Sequence, residues 1–227
     1  MQARTIERDP LQYILVTPDG FTPGAKYPLV VLLHGFGANM YDLTSLAPAI
    51  DATGYVYAFP NGPYTVQLGP GMTGYSWAFN RPGIEPPPAG APDVETMLDA
   101  FLEDVLQESG AERGRIVLGG FSQGGGLTFR WGLPRPDVFP GLAVMSGFFR
   151  DEETVRPRIP AKHEQSVFVA HGSSDYVVPI DGGRANKAFV ESMGYKFEYH
   201  EYEMAHEISP EEITDLTAWL HGTLPPK

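Results

Sequence analysis

Arg115-Ile116-Val117-Leu118-Gly119-Gly120-Phe121-Ser122-Gln123-Gly124-Gly125-Gly126 carries the local pattern that gives the architecture away. Ile116 to Leu118 is a short apolar run that suits a buried strand, Gly120 to Gly124 fits the pattern G-x-S-x-G, and helix-compatible residues continue through Trp131. A strand, a sharp turn and a helix form the context in which this pattern presents a nucleophile. The turn needs these residue types, because a serine at the strand tip sits in a strained backbone conformation. Glycine two positions to either side lets neighbouring backbone approach where a Cβ would collide. The helix beginning at Gln123 points its unpaired N–H groups and positive dipole end at the same spot, which favours an anion forming there. In a chain with 26 glycines such a pattern can arise by chance, and its place between strand and helix is what distinguishes it.

Outward from this turn the chain alternates strands and helices. Upstream, Leu29 to Leu33 is a continuous apolar run, as expected of a strand covered on both faces, and ends in His34-Gly35-Phe36-Gly37. Gln12 to Val16 and Tyr55 to Phe59 read as two further strands. Between them Leu43, Leu46, Ala47 and Ile50 share one helical face, with Pro48 arguing for a short helix. Asp93 to Ser109 carries an apolar stripe at helical spacing and stops at Gly110. Downstream, Leu142 to Met145 and Val167 to Ala170 read as buried strands, Gly183 to Met193 as a helix and Lys196 to Tyr202 as a strand. Ser209-Pro210-Glu211-Glu212 then opens a last helix with a serine cap, proline at its first position and acids in its first turn. The alternation predicts an α/β fold over residues 1–227 as one domain, with a mostly parallel central sheet and helices on both faces.

The segment from Pro60 to Pro92 is rich in glycine, proline and aromatics and reads as a loop of about 30 residues without regular structure. A floppy insertion is one reading of it. A wall lining or covering a binding site is the better one, because Tyr64, Tyr75, Trp77 and Phe79 give it something to pack.

Composition narrows the chemistry. The formal net charge of −12 disfavours nucleic acid, anionic membrane surfaces and polyanionic substrates as partners. Cysteine is absent, so thiol catalysis, disulfides and thiolate metal sites are excluded. Residues 1–10 are polar and no stretch approaches the roughly 18 apolar residues of a membrane span, which points to a cytoplasmic location. The sequence is compatible with a monomer or a homodimer.

A serine hydroxyl needs a base within hydrogen-bonding reach, and the base needs an acid to orient it. In a strand-turn-helix arrangement of this kind the partners follow in the order serine, acid, histidine. Asp175 and His206 each follow a predicted strand, and loops at the carboxyl ends of parallel strands converge on one sheet edge. Asp181 competes for the acid role, with helix capping as its structural alternative. His200, inside a strand, and His221, at the end of the last helix, compete with His206 and read as structural or solvent-facing. The oxyanion that acyl transfer creates needs preorganised donors, for which the backbone N–H groups of Gln123 and Phe36 are the candidates. His34 and His171 read as braces of their loops. A metal site built from His34, His171 and Asp175 has no supporting ligand spacing, so no metal is expected.

The motifs Leu33-His34-Gly35-Phe36-Gly37, Ser76-Trp77, Gly120 to Gly125, Met145-Ser146-Gly147, His171 to Asp175 and Met204 to Ser209 together resemble the phospholipase/carboxylesterase family of α/β-hydrolases. The resemblance runs from about Leu29 to Ile213. It implies a compact α/β-hydrolase without a large cap that hydrolyses carboxylic esters or thioesters through an acyl-serine, with no cofactor. It places the catalytic roles on Ser122, Asp175 and His206, and the oxyanion donors on Phe36 and Gln123. The family's acid after L-H-G-L-G is replaced by Ala38, and the acid ending S-W-F-D by Phe79, so the loops that shape the pocket depart from the pattern while the triad positions do not. Phe36, Trp77, Phe121, Phe148, Phe149 and Tyr176 are the residues for an aromatic wall suited to small aryl or short acyl groups, with Trp77, Phe121, Phe148 and Tyr176 as the substrate-binding candidates.

The expectation is a serine carboxylesterase acting on short- to medium-chain esters of small molecules. An acyl-thioesterase or lysophospholipase acting on longer chains is the alternative. A peptidase lacks any suggestion of a peptide cleft, and a binding protein on a degenerate hydrolase scaffold is disfavoured because nucleophile, base and acid are all present.

Overall fold

The computed structural model of the chain describes residues 1–22, 24–80 and 83–227. The strands are β1 (Gln2–Ile6), β2 (Tyr13–Thr17), β3 (Leu29–Leu33), β4 (Val56–Pro60), β5 (Tyr64–Gly69), β6 (Met72–Ser76), β7 (Ile116–Phe121), β8 (Gly141–Met145), β9 (Ser166–Gly172) and β10 (Lys196–Tyr202). The helices are α1 (Leu46–Ile50), α2 (Val94–Ser109), α3 (Gln123–Gly132), α4 (Glu152–Val155), α5 (Ile180–Ser192) and α6 (Pro210–Thr223). An eight-stranded sheet runs β1-β2-β4-β3-β7-β8-β9-β10. From β4 onward every pairing along that order is parallel, while β1 with β2 and β2 with β4 are antiparallel. This is the α/β-hydrolase fold with a mostly parallel sheet, helices on both faces and no large cap.

The uninterrupted apolar runs follow from that layering, since a strand covered on both faces has no polar side. Val31, Leu33, Leu118, Val144 and Val169 pack with Leu98 and Phe101 of α2, Phe129 of α3 and Phe189 of α5. Their immediate neighbours Val30, Leu32, Val117, Ala143 and Phe168 face the other way, onto Ile50 of α1 and Leu216, Trp219 and Leu220 of α6. Among the described residues no helix is long and apolar enough to cross a membrane.

Three sequence expectations are corrected. The polar start forms β1, an edge strand with four of its five residues exposed, so it has no apolar periodicity to read. The region 60–92 is not structureless: β5 and β6 form an antiparallel hairpin with Pro70-Gly71 in its turn, Gly71 at a φ of 72°. Tyr64 and Val66 point inward with Ile84 against Phe36 while Thr65 and Gln67 face out. The Gly and Pro residues that suggested a loop are the hairpin's turn and flanks. Residues 81 and 82 of that segment lie outside the described residues. Finally, the short helix expected on the face of Leu43, Leu46, Ala47 and Ile50 covers only 46–50, residues 40–45 forming successive turns instead.

The last helix carries a titratable liability. Ser209 caps it by accepting the Glu212 N–H at 3.2 Å, but the Glu212 carboxyl is fully buried and neither oxygen has a hydrogen-bond partner among the described residues. Burial pushes this acid up to about 8, the nearby Ser209 backbone N–H opposing the shift without reaching hydrogen-bonding geometry. A raised carboxyl means the folded state holds a proton that the unfolded chain releases near its ordinary value, so stability falls as pH rises through that interval up to about 8. Glu212→Gln removes this dependence. Thermal melts are expected to show the variant several degrees more stable at pH 8, by about 3 kcal/mol, with the difference closing near pH 4. Parallel pH profiles for the two proteins would contradict the assignment.

Candidate active site

The elbow forms where β7 ends. Ser122 adopts φ 55° and ψ −115°, a conformation that costs a non-glycine residue of order 1–3 kcal/mol and survives only where the surroundings impose it. Its N–H donates to Met145 O at 2.9 Å and its carbonyl accepts from the Gly126 N–H at 3.2 Å, so the strained residue is tied to both β8 and α3. A Cβ at Gly124 would stand 2.1 Å from Leu33 O, which is why the first turn of α3 can lie directly against the end of β3 only with glycine there.

The structure brings Ser122, His206 and Asp175 together. His206 Nε2 lies 2.9 Å from Ser122 Oγ, and His206 Nδ1 lies 2.6 Å from Asp175 Oδ2. Asp175 is buried and its other oxygen, Oδ1, accepts the N–H groups of Val177 and Val178, each at 2.8 Å. The acid and histidine loops are stitched to each other by Ser173 N–H to Tyr202 O at 2.8 Å and Ser174 N–H to Met204 O at 3.1 Å. Gly172 permits that approach, since a Cβ there would sit 2.3 Å from Ala205 O. Phe121 packs its ring 4.7 Å from the His206 ring. His171, fully buried, contacts Val178 O at 2.8 Å through Nε2 and lies 3.6 Å from Asp175 Oδ2, bracing the acid turn.

The competing residues are elsewhere. His200 stacks on Phe168 between Glu198 and Asp215, and His221 stacks on Tyr55 with Asp51 3.5 Å away. Asp181 is not a cap, because Pro179 holds that position; it stands in the first turn of α5 with its side chain 90% exposed.

The residues of the candidate oxyanion donors line the cavity from two different elements. Gln123 is the first residue of α3, whose leading N–H groups have no intrahelical acceptor. Phe36 lies on the loop after β3, and that loop is strapped down: Gly37 N–H donates to Tyr75 O at 2.8 Å, Tyr75 N–H to Ala38 O at 2.8 Å, and Trp77 Nε1–H to His34 O at 2.9 Å. His34 holds the loop from within. Its Nε2 accepts the Gly62 N–H at 3.0 Å, which leaves the proton on Nδ1, 2.7 Å from Gly35 O. Burial lowers this imidazole to about 4, so it is neutral at physiological pH.

A connection that sequence reasoning missed is the Gln123 side chain. Its Oε1 accepts the Trp77 N–H at 3.1 Å and its Nε2 donates to Ser76 Oγ at 3.0 Å, while Ser76 Oγ–H donates to Ala78 O at 2.7 Å. The amide next to the candidate nucleophile thus fixes the segment after the hairpin. The only sequence signal was the pairing of two separate motifs, Ser76-Trp77 and Ser122-Gln123, with nothing to say that they touch.

A cavity of about 1000 Å³ opens beside Ser122 and His206, its walls including Phe36, Trp77, Phe148 and Leu127. Of the aromatic candidates, Trp77 and Phe148 line it, and Phe121 lies against His206. Tyr176 does not line it: following Asp175 in a turn whose backbone is held by the acid, it is 90% exposed. Phe149 is in the core, edge-on to Phe129 and against Phe189. Two cavity residues without any sequence signal are Arg130 and Arg150.

The model of the phospholipase/carboxylesterase family matches residues 23–224. Acyl-protein thioesterase 1 of Kluyveromyces lactis is 30% identical over 214 residues, covering 86% of this chain and 92% of that protein. Acyl-protein thioesterase 1 of Mycosarcoma maydis is 29% identical over 243 residues, 95% of this chain and 98% of the relative. Among solved structures, esterase PE8 superimposes with a TM-score of 0.75 at 25% identity, covering 94% of this chain and 99% of its own. A carboxylesterase from Mesorhizobium loti, at 18% identity and a TM-score of 0.73 over 97% of this chain and 99% of its own, shares the fold.

Proposed function

Because this chain belongs to the phospholipase/carboxylesterase family of α/β-hydrolases, a family of ester-bond hydrolases, we propose that it is a serine carboxylesterase acting on short- to medium-chain esters of small molecules. The observation that carries this reading is the continuous chain of hydrogen bonds from Ser122 Oγ through His206 to the buried Asp175, at the wall of a cavity. In the first half-reaction His206 Nε2 takes the Ser122 proton as Oγ attacks the ester carbonyl, and the imidazolium formed is stabilised by Asp175. The N–H groups of Gln123 and Phe36 stabilise the tetrahedral oxyanion. His206 then returns the proton to the leaving alcohol, and water, activated by the same imidazole, hydrolyses the acyl-serine. The fixed Gln123 amide keeps the Trp77 wall in register with the nucleophile.

A second reading has its own support. The curated relatives named above are acyl-protein thioesterases, so a longer acyl thioester is the competing substrate. kcat/KM over a ladder of p-nitrophenyl esters from acetyl to palmitoyl, with matched acyl-thioesters, separates the two. The carboxylesterase reading expects a maximum at short chains with esters ahead of thioesters, because Phe36, Trp77 and Phe148 crowd the cavity near the serine. A maximum at long chains or a thioester preference would move the assignment to the thioesterase.

A further inference from the structure

The cavity wall carries two arginines that the proposed chemistry does not use, and their circumstances differ. Arg130 is paired: its Nε bonds Glu95 at 2.9 Å, a carboxylate it shares with Arg135 and Arg158, and a terminal nitrogen lies 3.7 Å from Asp151. Arg150 has no carboxylate within 4.0 Å among the described residues, and its side chain makes no hydrogen bond there. Among the described arginines Arg4, Arg8, Arg113, Arg130, Arg135, Arg156, Arg158 and Arg184 each have a carboxylate within 4.0 Å, and Arg150 is the cavity-lining one without.

The Arg150 guanidinium is nevertheless placed. It stacks 4.8 Å over the Phe148 ring, an arrangement that uses the face of the group and leaves its edge N–H donors available. Phe148 in turn is wedged between the two helix starts that border the cavity. A Cβ at Gly126 would lie 2.7 Å from Phe148 O, and one at Gly182 would lie 3.3 Å from the Phe148 ring. Gly126 is also the residue whose N–H bonds Ser122 O, so Arg150 is anchored to the turn of α3 that carries the candidate nucleophile. Of the acids lining the same cavity, Asp151 is engaged by Arg130, and Asp181 is turned to solvent with Arg184 3.9 Å away.

From this arrangement we propose that Arg150 is a specificity residue and that the cavity selects esters carrying a carboxylate several bonds from the scissile carbonyl, such as half-esters of dicarboxylic acids. The inference rests on the reading of Ser122 as nucleophile. The planar guanidinium meets the carboxylate through its edge while Phe148 holds its face, so little rotamer freedom is lost on binding. Because the group is exposed, its contribution is a selectivity of about tenfold at low salt, shrinking as salt is added.

Two matched sets test it, because the carboxylate can lie on either side of the ester. Mono-p-nitrophenyl adipate, its methyl ester and p-nitrophenyl 5-(trimethylammonio)pentanoate vary the acyl side. 4-Acetoxybenzoate and its methyl ester vary the alcohol side. The wild type is expected to prefer the anionic member of at least one set by about tenfold in kcat/KM. Arg150→Gln brings that ratio close to one, and Arg115→Gln, at the opposite end of β7, leaves it as in the wild type. No anionic preference in either set, or a preference that survives Arg150→Gln, overturns the proposal. Calorimetric binding of the same compounds to Ser122→Ala keeps the two readings apart. If Ser122→Ala hydrolyses them at the wild-type rate, the nucleophile assignment fails. An anion preference in Ser122→Ala that disappears in Ser122→Ala/Arg150→Gln still sustains the binding role of Arg150, and equal binding of all members removes it.

Discussion

Replacing Ser122 by alanine is expected to lower kcat by about 10⁶ on any ester the enzyme accepts. No other hydroxyl or thiol can take its place: the chain has no cysteine, and the position is the one at which His206 Nε2 comes within 2.9 Å of a nucleophilic atom. The substitution removes Oγ and little else. Alanine at φ 55° bears the same backbone strain as serine, so the melting temperature should move little while the rate collapses. A residual acceleration of about 10³–10⁴ over water remains expected from the candidate oxyanion donors and substrate binding. Steady-state kinetics on a p-nitrophenyl ester, with the enzyme concentration fixed by burst titration of the wild type, gives the number. A variant retaining a tenth of the wild-type rate would remove Ser122 from the mechanism.

Asp175→Asn is expected to cost about 10⁴ in kcat without unfolding the loop, and the reason is specific to this turn. Oδ1 is held by the N–H groups of Val177 and Val178, both at 2.8 Å, so the asparagine must put its carbonyl oxygen there. Its NH₂ group then occupies the Oδ2 position, 2.6 Å from His206 Nδ1, and donates where the aspartate accepts. The imidazole responds by placing its proton on Nε2, which faces Ser122 Oγ and can no longer take the serine proton. Asp175→Ala, which imposes no tautomer but leaves the two backbone donors unsatisfied, should be less stable than Asp175→Asn. The asparagine variant should therefore melt near the wild type and react slowly, and wild-type kcat in that variant would refute Asp175 as the orienting acid.

The legibility of the fold in the sequence followed burial. Leu29 to Leu33 and Val167 to Ala170 are apolar at every position because both faces of the inner sheet are covered, and such runs are visible without neighbours. The ends of α2 and α6 were visible because capping is local: Asp93 accepts the Thr96 N–H, Gly110 turns left-handed at φ 69°, and Ser209 accepts from Glu212. β1 was not visible, since an edge strand with exposed side chains on both faces is defined by its partner β2 and by ion pairs such as Arg4 with Glu108. The β5–β6 hairpin was hidden for a different reason. Its alternation spans only a few residues, and the Gly and Pro residues around it outweigh that signal in any local reading.

The residues presented at the carboxyl ends of the strands are legible without coordinates, because the elbow motif, the strand-to-loop transitions and their order along the chain are local chemistry. That order alone groups Ser122, Asp175 and His206 as one candidate set. Which side chains meet depends on the packing of distant segments. The Gln123 amide reaches Trp77 across 46 residues, Tyr176 faces solvent although it follows the buried Asp175, Phe149 belongs to the core although Phe148 lines the cavity, and Arg150 stands on that wall without an acid. Adjacent residues in extended or turning backbone point in opposite directions, so the side of the wall on which each one falls depends on what packs behind it. That information lies in contacts between segments far apart in sequence, which no periodicity or motif encodes.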